Sequence, residues 1–342
     1  MPNQIFNRIL ITRLKYIGDI ILTTPLIKNI RLNYPNAYIA YLGDKKGVSL
    51  LDGNPHLDEI ISFDFSKEII YQQMELFYKL HSKKFDLAID LYSNPRSALL
   101  TYATGAKVRI GYDKPGRNWA YTDKVKDDGK LKSAIDHHNQ VLKVLDIEPK
   151  NYETEIFLSD SEKKEAERYL NWQGVKFEKP LVAIHPGATW KNKILPKEKF
   201  AELIDLIGAK LGAEIILSLG PNDEELKNYI LQNTFAKVHA LRVLPVRQLA
   251  AVLSFCKIFI SNDCGPMHIG PAISLKTIGI FGPEPPEVWF SYNESNGHKF
   301  FFSKIDCSPC RKTECHLTGN DYLKCMKLIS VDEIFNCIKE RF

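Results

Sequence analysis

The sequence predicts an α/β fold of two domains, each built on a parallel sheet. The chain has 342 residues, which exceeds one ordinary core and suits two domains of typical size. Strand-like and helix-like segments alternate along it, and this order produces parallel sheets. One charged helical stretch interrupts the alternation, which then starts again, so we expect two halves of similar type.

The first half begins with a βα unit. Residues 8–14 (RILITRL) form a β-branched run that ends at the polar turn Lys15-Tyr16, and Gly18-Asp19 opens a helical pattern. A strand over residues 37–42, an amphipathic stretch over 67–80 and a strand over 85–91 follow. Strand, helix, strand and helix in this order indicate a parallel sheet.

Residues 159–179 are charged and helical in pattern and end at Pro180. We therefore predict an N-terminal domain over 1–160, a linker over 161–180 and a C-terminal domain over 181–342. In the second half we expect strands over 181–184, 214–219, 258–260 and 277–281, with helices over 196–212 and from Asp223 and Gly265. Paired Rossmann-like domains facing a central cleft are the expected architecture.

The amino-acid composition and the absence of certain sequence patterns argue against several classes of function. The excess of 46 basic over 41 acidic side chains gives a net charge of only +5, too little for a nucleic-acid-binding surface. No apolar run reaches the roughly 18 residues that cross a bilayer, and the first residues lack a signal-peptide pattern, so we expect a cytoplasmic protein. The first βα turn offers no G-x-G-x-x-G, which disfavours a nicotinamide dehydrogenase.

The strongest single motif is residues 261–268 (SNDCGPMH), which follow an apolar strand. Ligands bind at the carboxyl ends of strands in open α/β sheets, and free backbone N–H groups at a helix start favour phosphate. Gly265 would let a phosphate approach the backbone. A structural interpretation, in which Asp263 caps a helix and His268 packs under the sheet, explains the same residues.

A second loop, residues 185–193 (HPGATWKNK), follows the strand-like run 181–184. Its lysines suit the negative charge that develops on a departing diphosphate, although a solvated basic turn has the same composition. In the first domain, Asp19 is either a helix cap or a general base that accepts a proton from a sugar hydroxyl.

Seven cysteines in a reducing compartment are not expected to form disulfides. Cys256, Cys264 and Cys337 are interpreted as small apolar fillers. The Cys-rich segment 307–325 is dense enough to hold a tetrahedral zinc ion, but it lacks two regular C-x2-C pairs, so reduced thiols remain the alternative. The candidate ligands are Cys307, Cys310, Cys315 and Cys325.

These motifs, taken together, resemble glycosyltransferase family 9, the ADP-heptose:lipopolysaccharide heptosyltransferases. The resemblance runs nearly end to end, and it depends on the order and spacing of many short motifs. They include 17–19 (IGD), 24–26 (TPL), 54–58 (NPHLD), 85–90 (FDLAID), 110–112 (IGY), 185–188 (HPGA), 193–196 (KILP), 262–268 (NDCGPMH) and 281–283 (FGP).

The resemblance implies a GT-B fold, inversion at the anomeric carbon and no required metal or other cofactor. It implies that the C-terminal domain holds an ADP-heptose donor and that the N-terminal domain holds a glycolipid acceptor (Kdo/heptose-lipid A). The acceptor would lie at the inner membrane face, which allows peripheral association with that membrane, and no nucleic acid is expected as a partner.

The family's site residues map onto this chain one by one. Asp19 matches the catalytic base, and Lys193 matches a catalytic lysine that contacts the donor phosphates. Lys191 takes that place if the loop register shifts by two residues. Arg13 and Lys15 lie where polar groups contact the acceptor or the donor, and they are assigned to the acceptor. The donor-binding residues implied are Thr189, Lys193, Glu224, Asp263, Cys264, Gly265 and His268.

Two departures from the family pattern concern packing. Leu195 stands where the family usually has tryptophan, and Gly270-Pro271 follow His268 where alanine-rich sequence is usual. The alternatives in function are a nucleotide-sugar epimerase, a GT-B enzyme that uses another nucleotide sugar, and a binding module that has lost catalysis.

Overall fold

The computed structural model describes residues 4–66, 70–126 and 128–342. Within it the chain forms two compact units, 1–157 and 158–342. The predicted amphipathic stretch 67–80 begins with residues 67–69, which lie outside the described residues. The part that is described is helical from Ile70 onward.

The first unit contains a six-stranded parallel sheet. Its strands are β1 (Arg8–Thr12), β2 (Tyr38–Asp44), β3 (Glu59–Phe63), β4 (Leu87–Asp90), β5 (Val108–Tyr112) and β6 (Asp123–Val125). Their order across the sheet is β3-β2-β1-β4-β5-β6. Because β2 and β3 lie on one side of β1 and β4, β5 and β6 lie on the other, the order reverses between β1 and β4. This is the switch point at which open α/β sheets bind ligands.

Helices cover both faces of this sheet. They are α1 (Ile17–Ile21), α2 (Thr24–Asn33), α3 (Lys45–Val48), α4 (Ile70–Ser82), α5 (Pro95–Ala103) and α6 (Ala134–Val144). Alternate residues of β1 enter different cores: Ile9 and Ile11 pack with α2 and α6, whereas Leu10 packs with α4 and α5. Burial on both faces explains why the strands have continuous apolar sequences.

The second unit repeats this plan. Its strands are β7 (Leu181–His185), β8 (Glu214–Leu217), β9 (Val238–Ala240), β10 (Ile258–Asn262), β11 (Lys276–Phe281) and β12 (Lys299–Phe302). The order is β12-β11-β10-β7-β8-β9, so the switch point lies between β7 and β10. The expected α/β class with two parallel sheets is confirmed.

The helices of the second unit range in length from 4 to 15 residues. They are α7 (Asp160–Trp172), α8 (Lys197–Leu211), α9 (Glu224–Gln232), α10 (Val246–Leu253), α11 (Ile269–Ala272), α12 (Pro286–Trp289), α13 (Lys324–Lys327) and α14 (Val331–Arg341). Residues 161–180, for which the sequence predicts a linker, contain most of α7, which packs on α10. A capping box between Ser159 and Glu162 starts that helix.

The helix expected from Gly265 is a 3-10 turn over Gly265–His268, followed by the four residues of α11. Pro266 and Pro271 lack the backbone N–H that a regular helix would use, which accounts for the short segments. Among the residues described, no helix combines the length and the apolar character needed to cross a membrane.

Candidate active site

The loop after β1 is built around an ion pair between Arg13 and Asp19. Nη2 of Arg13 donates to the Asp19 carboxylate, and Nη1 donates to the carbonyl of Leu91 at 2.7 Å. The backbone N–H of Tyr16 also donates to Asp19, at 3.3 Å. Because Leu91 directly follows β4, Arg13 ties Asp19 to both strand ends at the switch point of the first sheet.

The pair is largely shielded from solvent. The Arg13 side chain is 13% exposed and that of Asp19 15% exposed, and the guanidinium lies 4.6 Å from the centre of the Tyr92 ring. Such a cation–π contact orients the arginine as well as stabilising it. Lys15 lies on the same loop but is exposed. The structure therefore brings Arg13 and Asp19 together and leaves Lys15 at the surface.

Asp90, to which sequence reasoning assigned no role, lies beside this pair. It ends β4 in register with Thr12 of β1, and it accepts hydrogen bonds from the N–H groups of Tyr92 and Ser93 and from the hydroxyl of Tyr121 at 2.8 Å. Burial raises its pKa. Its position at a strand end next to β1 is the signal that would have identified it.

His138 is the second group that the sequence did not single out. It is buried, and burial together with the charge of Arg13 and the neighbouring His137 holds its pKa well below the usual value. The imidazole is therefore neutral at physiological pH. Its Nδ1 lies 3.5 Å from the hydroxyl of Tyr112.

In the second unit, Asn262 joins the two loops of the switch point. Its side-chain amide donates to the carbonyl of Pro186 at 2.6 Å, and its oxygen accepts from the N–H of Leu195 at 3.2 Å. Asn262 ends β10, whereas Pro186 and Leu195 flank the loop after β7. A buried asparagine thus fixes the loop that carries Lys193 relative to β10.

Lys193 and Asp263 form the charged centre of this site. Nζ of Lys193 lies 2.7 Å from Oδ2 of Asp263, with the two side chains 15% and 5% exposed. The ammonium also lies 4.4 Å from the centre of the Trp190 ring. Burial raises the pKa of Asp263, and the positive charge of Lys193 opposes that rise. The arrangement holds one lysine at the carboxyl ends of two adjacent strands, where phosphates bind in folds of this class.

His268 and Cys264 lie near this pair, and both are uncharged. Nδ1 of His268 lies 2.7 Å from the hydroxyl of Tyr292, and burial, aided by the charge of Lys193, lowers the pKa of His268 to about 3. Burial raises the pKa of the Cys264 thiol to about 12. Both groups can therefore offer hydrogen bonds to a phosphate or sugar but no charge.

Two of the expected donor-binding residues and the alternative lysine lie at the surface. Thr189 and the alternative lysine, Lys191, are exposed on the loop after β7. Glu224 is exposed and forms an ion pair with Lys227 of its own helix at 2.6 Å. None of the three contributes to the buried Lys193–Asp263 pair, which favours Lys193 over Lys191 as the functional lysine.

The acid that approaches the loop after β7 is Asp223, the neighbour of Glu224. Its carboxylate accepts from the N–H of Gly220 at 2.6 Å, and a Cβ at Gly187 would lie 1.9 Å from it. A side chain at that position would displace the Asp223 carboxylate. The turn that precedes α9 decides which of the two adjacent acids points inward, and no sequence pattern distinguishes them.

The four candidate metal ligands share one small cavity. Cys307, Cys310, Cys315 and Cys325 line a space of about 20 Å³. Burial and the three neighbouring thiols raise the pKa of Cys325. In number and chemistry the donors fit a tetrathiolate zinc site. In placement they do not, since no group of three or more His, Cys, Asp or Glu in the described part of the chain is arranged to hold a metal ion.

Comparisons with known proteins place these features in a family. The sequence model of glycosyltransferase family 9 (heptosyltransferase) matches residues 73–320. Lipopolysaccharide heptosyltransferase 3 of Escherichia coli is 27% identical over 289 residues, covering 81% of this chain and 84% of that protein.

Two solved structures have folds similar to that of this chain. The glycosyl transferase family 9 protein of Veillonella parvula has a TM-score of 0.85 at 24% identity, covering 98% of this chain and 97% of that one. The E. coli heptosyltransferase WaaC with ADP-2-deoxy-2-fluoro heptose has a TM-score of 0.72 at 20% identity, covering 98% and 100%. The fold expected from the sequence, GT-B, is the one that these proteins share.

Proposed function

The chain belongs to glycosyltransferase family 9, and we propose that it transfers heptose from ADP-heptose to the inner core of a lipopolysaccharide or lipooligosaccharide precursor, with inversion at the anomeric carbon. The family membership and the enzyme class expected from the sequence are both confirmed. The observation that carries the proposal is the buried Lys193–Asp263 pair at the switch point between β7 and β10.

The donor is assigned to the second unit. A diphosphate at the carboxyl ends of β7 and β10 would compete with Asp263 for the ammonium of Lys193, because phosphate oxygens are strong acceptors for a charged donor. Asp263 would then be available to accept hydrogen bonds from sugar hydroxyls. The neutral His268 and the backbone of the turn that begins at Gly265 would supply further hydrogen bonds without placing a second positive charge in the site.

The acceptor and the base are assigned to the first unit. Asp19 is held by Arg13 and by the N–H of Tyr16, so its carboxylate has a fixed orientation at the end of β1. Arg13 therefore serves as a positioning residue for Asp19. Lys15, exposed on the same loop, is available to a phosphorylated acceptor.

In the proposed reaction the acceptor hydroxyl attacks the anomeric carbon of the donor. Asp19 takes the hydroxyl proton, the new C–O bond forms, and the bond to the diphosphate breaks with its electron pair leaving on ADP. Lys193 stabilises the negative charge that develops on the leaving diphosphate. The reaction requires each unit to hold its substrate so that the oxygen and the anomeric carbon meet.

We propose a cytoplasmic location at the inner membrane face, because the acceptor is a membrane glycolipid and its donor is a soluble nucleotide sugar. The four cysteines would have to move to hold a zinc ion, and a structural ion bound after such a movement is proposed as a separate feature that no catalytic step uses. Elemental analysis of protein purified without chelators tests it: about one zinc per chain supports the site, and its absence from zinc-supplemented protein rejects it.

The assay that tests the function presents a panel of nucleotide sugars with stepwise-truncated core glycolipids and identifies products by mass spectrometry. We expect a heptose mass increment on the acceptor with ADP-heptose. Transfer of another sugar would change the donor assignment, and a donor altered without acceptor would indicate an epimerase.

A further inference from the structure

The first unit exposes a cluster of large apolar side chains on one face of its sheet, where a soluble protein would usually present polar residues. On α4 and α5 and in the turn that follows β5, these side chains are 45% to 77% exposed. We call this surface the aromatic face. It consists of Tyr71, Met74, Tyr78, Leu99, Tyr102 and Trp119.

The two helices and the turn that carry the aromatic face contact one another. Residues 71, 74 and 78 follow i, i+3, i+7 spacing on α4, and Leu99 and Tyr102 follow i, i+3 spacing on α5. The two helices pack together, and the rings of Tyr102 and Trp119 lie 5.3 Å apart in an edge-on contact. Burial of Leu76 and Leu80 on the other side of α4 leaves the exposed residues without a role in the core.

A groove of about 280 Å³ runs between α4 and α5. It is lined mainly by phenylalanine and leucine side chains, including Phe77 and Leu99. Arg96 lies at this groove, where its guanidinium donates to the carbonyl of Phe65 at 3.2 Å. An apolar groove beside a guanidinium matches a lipid, whose acyl chains are apolar and whose headgroup carries phosphate.

Arginines adjoin the aromatic face. The guanidinium of Arg109 lies 5.4 Å from the centre of the Tyr102 ring. Arg96 lines the groove between α4 and α5, and Glu75 is an exposed acid on α4. Positive charge therefore lies directly beside the exposed aromatic side chains of α5.

We propose that the aromatic face is the surface by which this protein docks on an anionic lipid bilayer. Tyrosine and tryptophan favour the interface between headgroups and acyl chains, and surrounding lysines and arginines are attracted to anionic lipid. The inference rests on the proposed function, since a glycolipid acceptor is reached from a membrane surface. A second copy of the chain is the competing occupant, and the aromatic face's charge favours the bilayer because two such faces would repel each other.

The test is sedimentation of the full chain with large unilamellar vesicles that contain 30% phosphatidylglycerol in phosphatidylcholine, without donor or acceptor. The variant combines Tyr71→Ser, Met74→Ser and Tyr78→Ser, and it should fold because all three side chains are exposed. The matched control combines Trp172→Ser and Phe235→Ser, two exposed aromatic residues of the second unit.

We expect the wild type and the control to bind the anionic vesicles, more weakly at 0.5 M salt and on pure phosphatidylcholine. The triple variant should lose about tenfold or more in partition coefficient. Failure of the wild type to bind, or equal binding by the triple variant, overturns the proposal. Concentration-dependent dimerisation without lipid that the triple variant abolishes also overturns it, in favour of a second copy.

These vesicles contain no substrate, so the result is independent of catalysis. Vesicle binding without any heptose transfer in the product assay would refute the proposed function and leave the docking surface in place. Heptose transfer to a lipid-free acceptor by a protein that does not bind vesicles would support the proposed function and refute the docking surface.

Discussion

The ammonium group of Lys193 lies 2.7 Å from the carboxylate of Asp263, and the two residues come from loops that follow adjacent parallel strands. Both side chains are largely buried, so each strongly influences the other. This relationship distinguishes Lys193 from Lys191, which is exposed two residues earlier on the same loop. It also leads to the first prediction.

Lys193→Ala should weaken ADP binding about 10-fold to 100-fold, because a charge-assisted contact to the diphosphate is lost. Lys191→Ala is the matched control and should leave the affinity unchanged. Isothermal titration calorimetry with ADP measures both. Lys193→Ala also leaves Asp263 buried without its cation, so the double variant Lys193→Met/Asp263→Asn separates loss of the contact from damage to the fold. Equal ADP affinity in the wild type and Lys193→Ala would contradict the donor assignment.

Asn262→Leu should lower the free energy of unfolding by about 2–4 kcal/mol, because the carbonyl of Pro186 and the N–H of Leu195 lose their partner in a buried site. ADP affinity should fall as well, since the lysine loop loses its tether to β10. Urea denaturation and calorimetry measure the two effects. Asn139→Leu, at a buried asparagine of the first unit, serves as control and should leave ADP affinity intact.

Stability should fall as the pH drops from about 6.5 toward 4. Burial lowers the pKa of His185 to about 4, of His268 to about 3 and of His298 to about 4. Between those values and the ordinary pKa of 6.5, the unfolded chain binds more protons than the folded one, so acid favours unfolding. Above pH 6.5 this contribution to stability is fully present.

The expected loss is about 1–2 kcal/mol per buried histidine between pH 7 and pH 5. Asp90 and Asp263 act in the opposite direction, because their raised pKa values make the folded chain bind protons first. Urea denaturation at pH 7.5, 6.0 and 5.0 measures the net change in the free energy of unfolding. His138→Gln, which removes one buried imidazole, should reduce the pH dependence; an unchanged slope would mean that the pKa of this histidine is the same in the folded and the unfolded chain.

Much of the fold follows from sequence because the central strands are buried on both faces and have continuous apolar runs. The strands β1, β2, β4, β7, β8, β10 and β11 correspond to segments expected from the sequence. The edge strands β3, β6, β9 and β12 and the interior strand β5 were not predicted. β3 is only partly buried and β9 has three residues, so neither presents a clear apolar pattern.

The positions of the candidate residues could be predicted where they depend on strand ends and not where they depend on turn geometry. Asp19, Lys193 and Asp263 each follow a recognisable buried strand, and parallel strands bring such ends to one edge of a sheet. Glu224, which stays a proposed donor contact, is exposed, and the adjacent Asp223 is the acid that approaches Gly187. The pairing of Arg13 with both Asp19 and the carbonyl of Leu91 depends on a side-chain conformation that no spacing predicts.

The most direct test of the central claim is the turnover of Asp19→Asn with ADP-heptose and a phosphorylated glycolipid acceptor, followed by mass spectrometry of the acceptor product. The variant should bind ADP as the wild type does and lose about 100-fold or more in kcat, because the group that accepts the hydroxyl proton is gone. Asp44→Asn, which alters a carboxylate that caps α3, should retain wild-type turnover. Wild-type kcat in Asp19→Asn would contradict the assignment of Asp19 as the base and, with it, the mechanism.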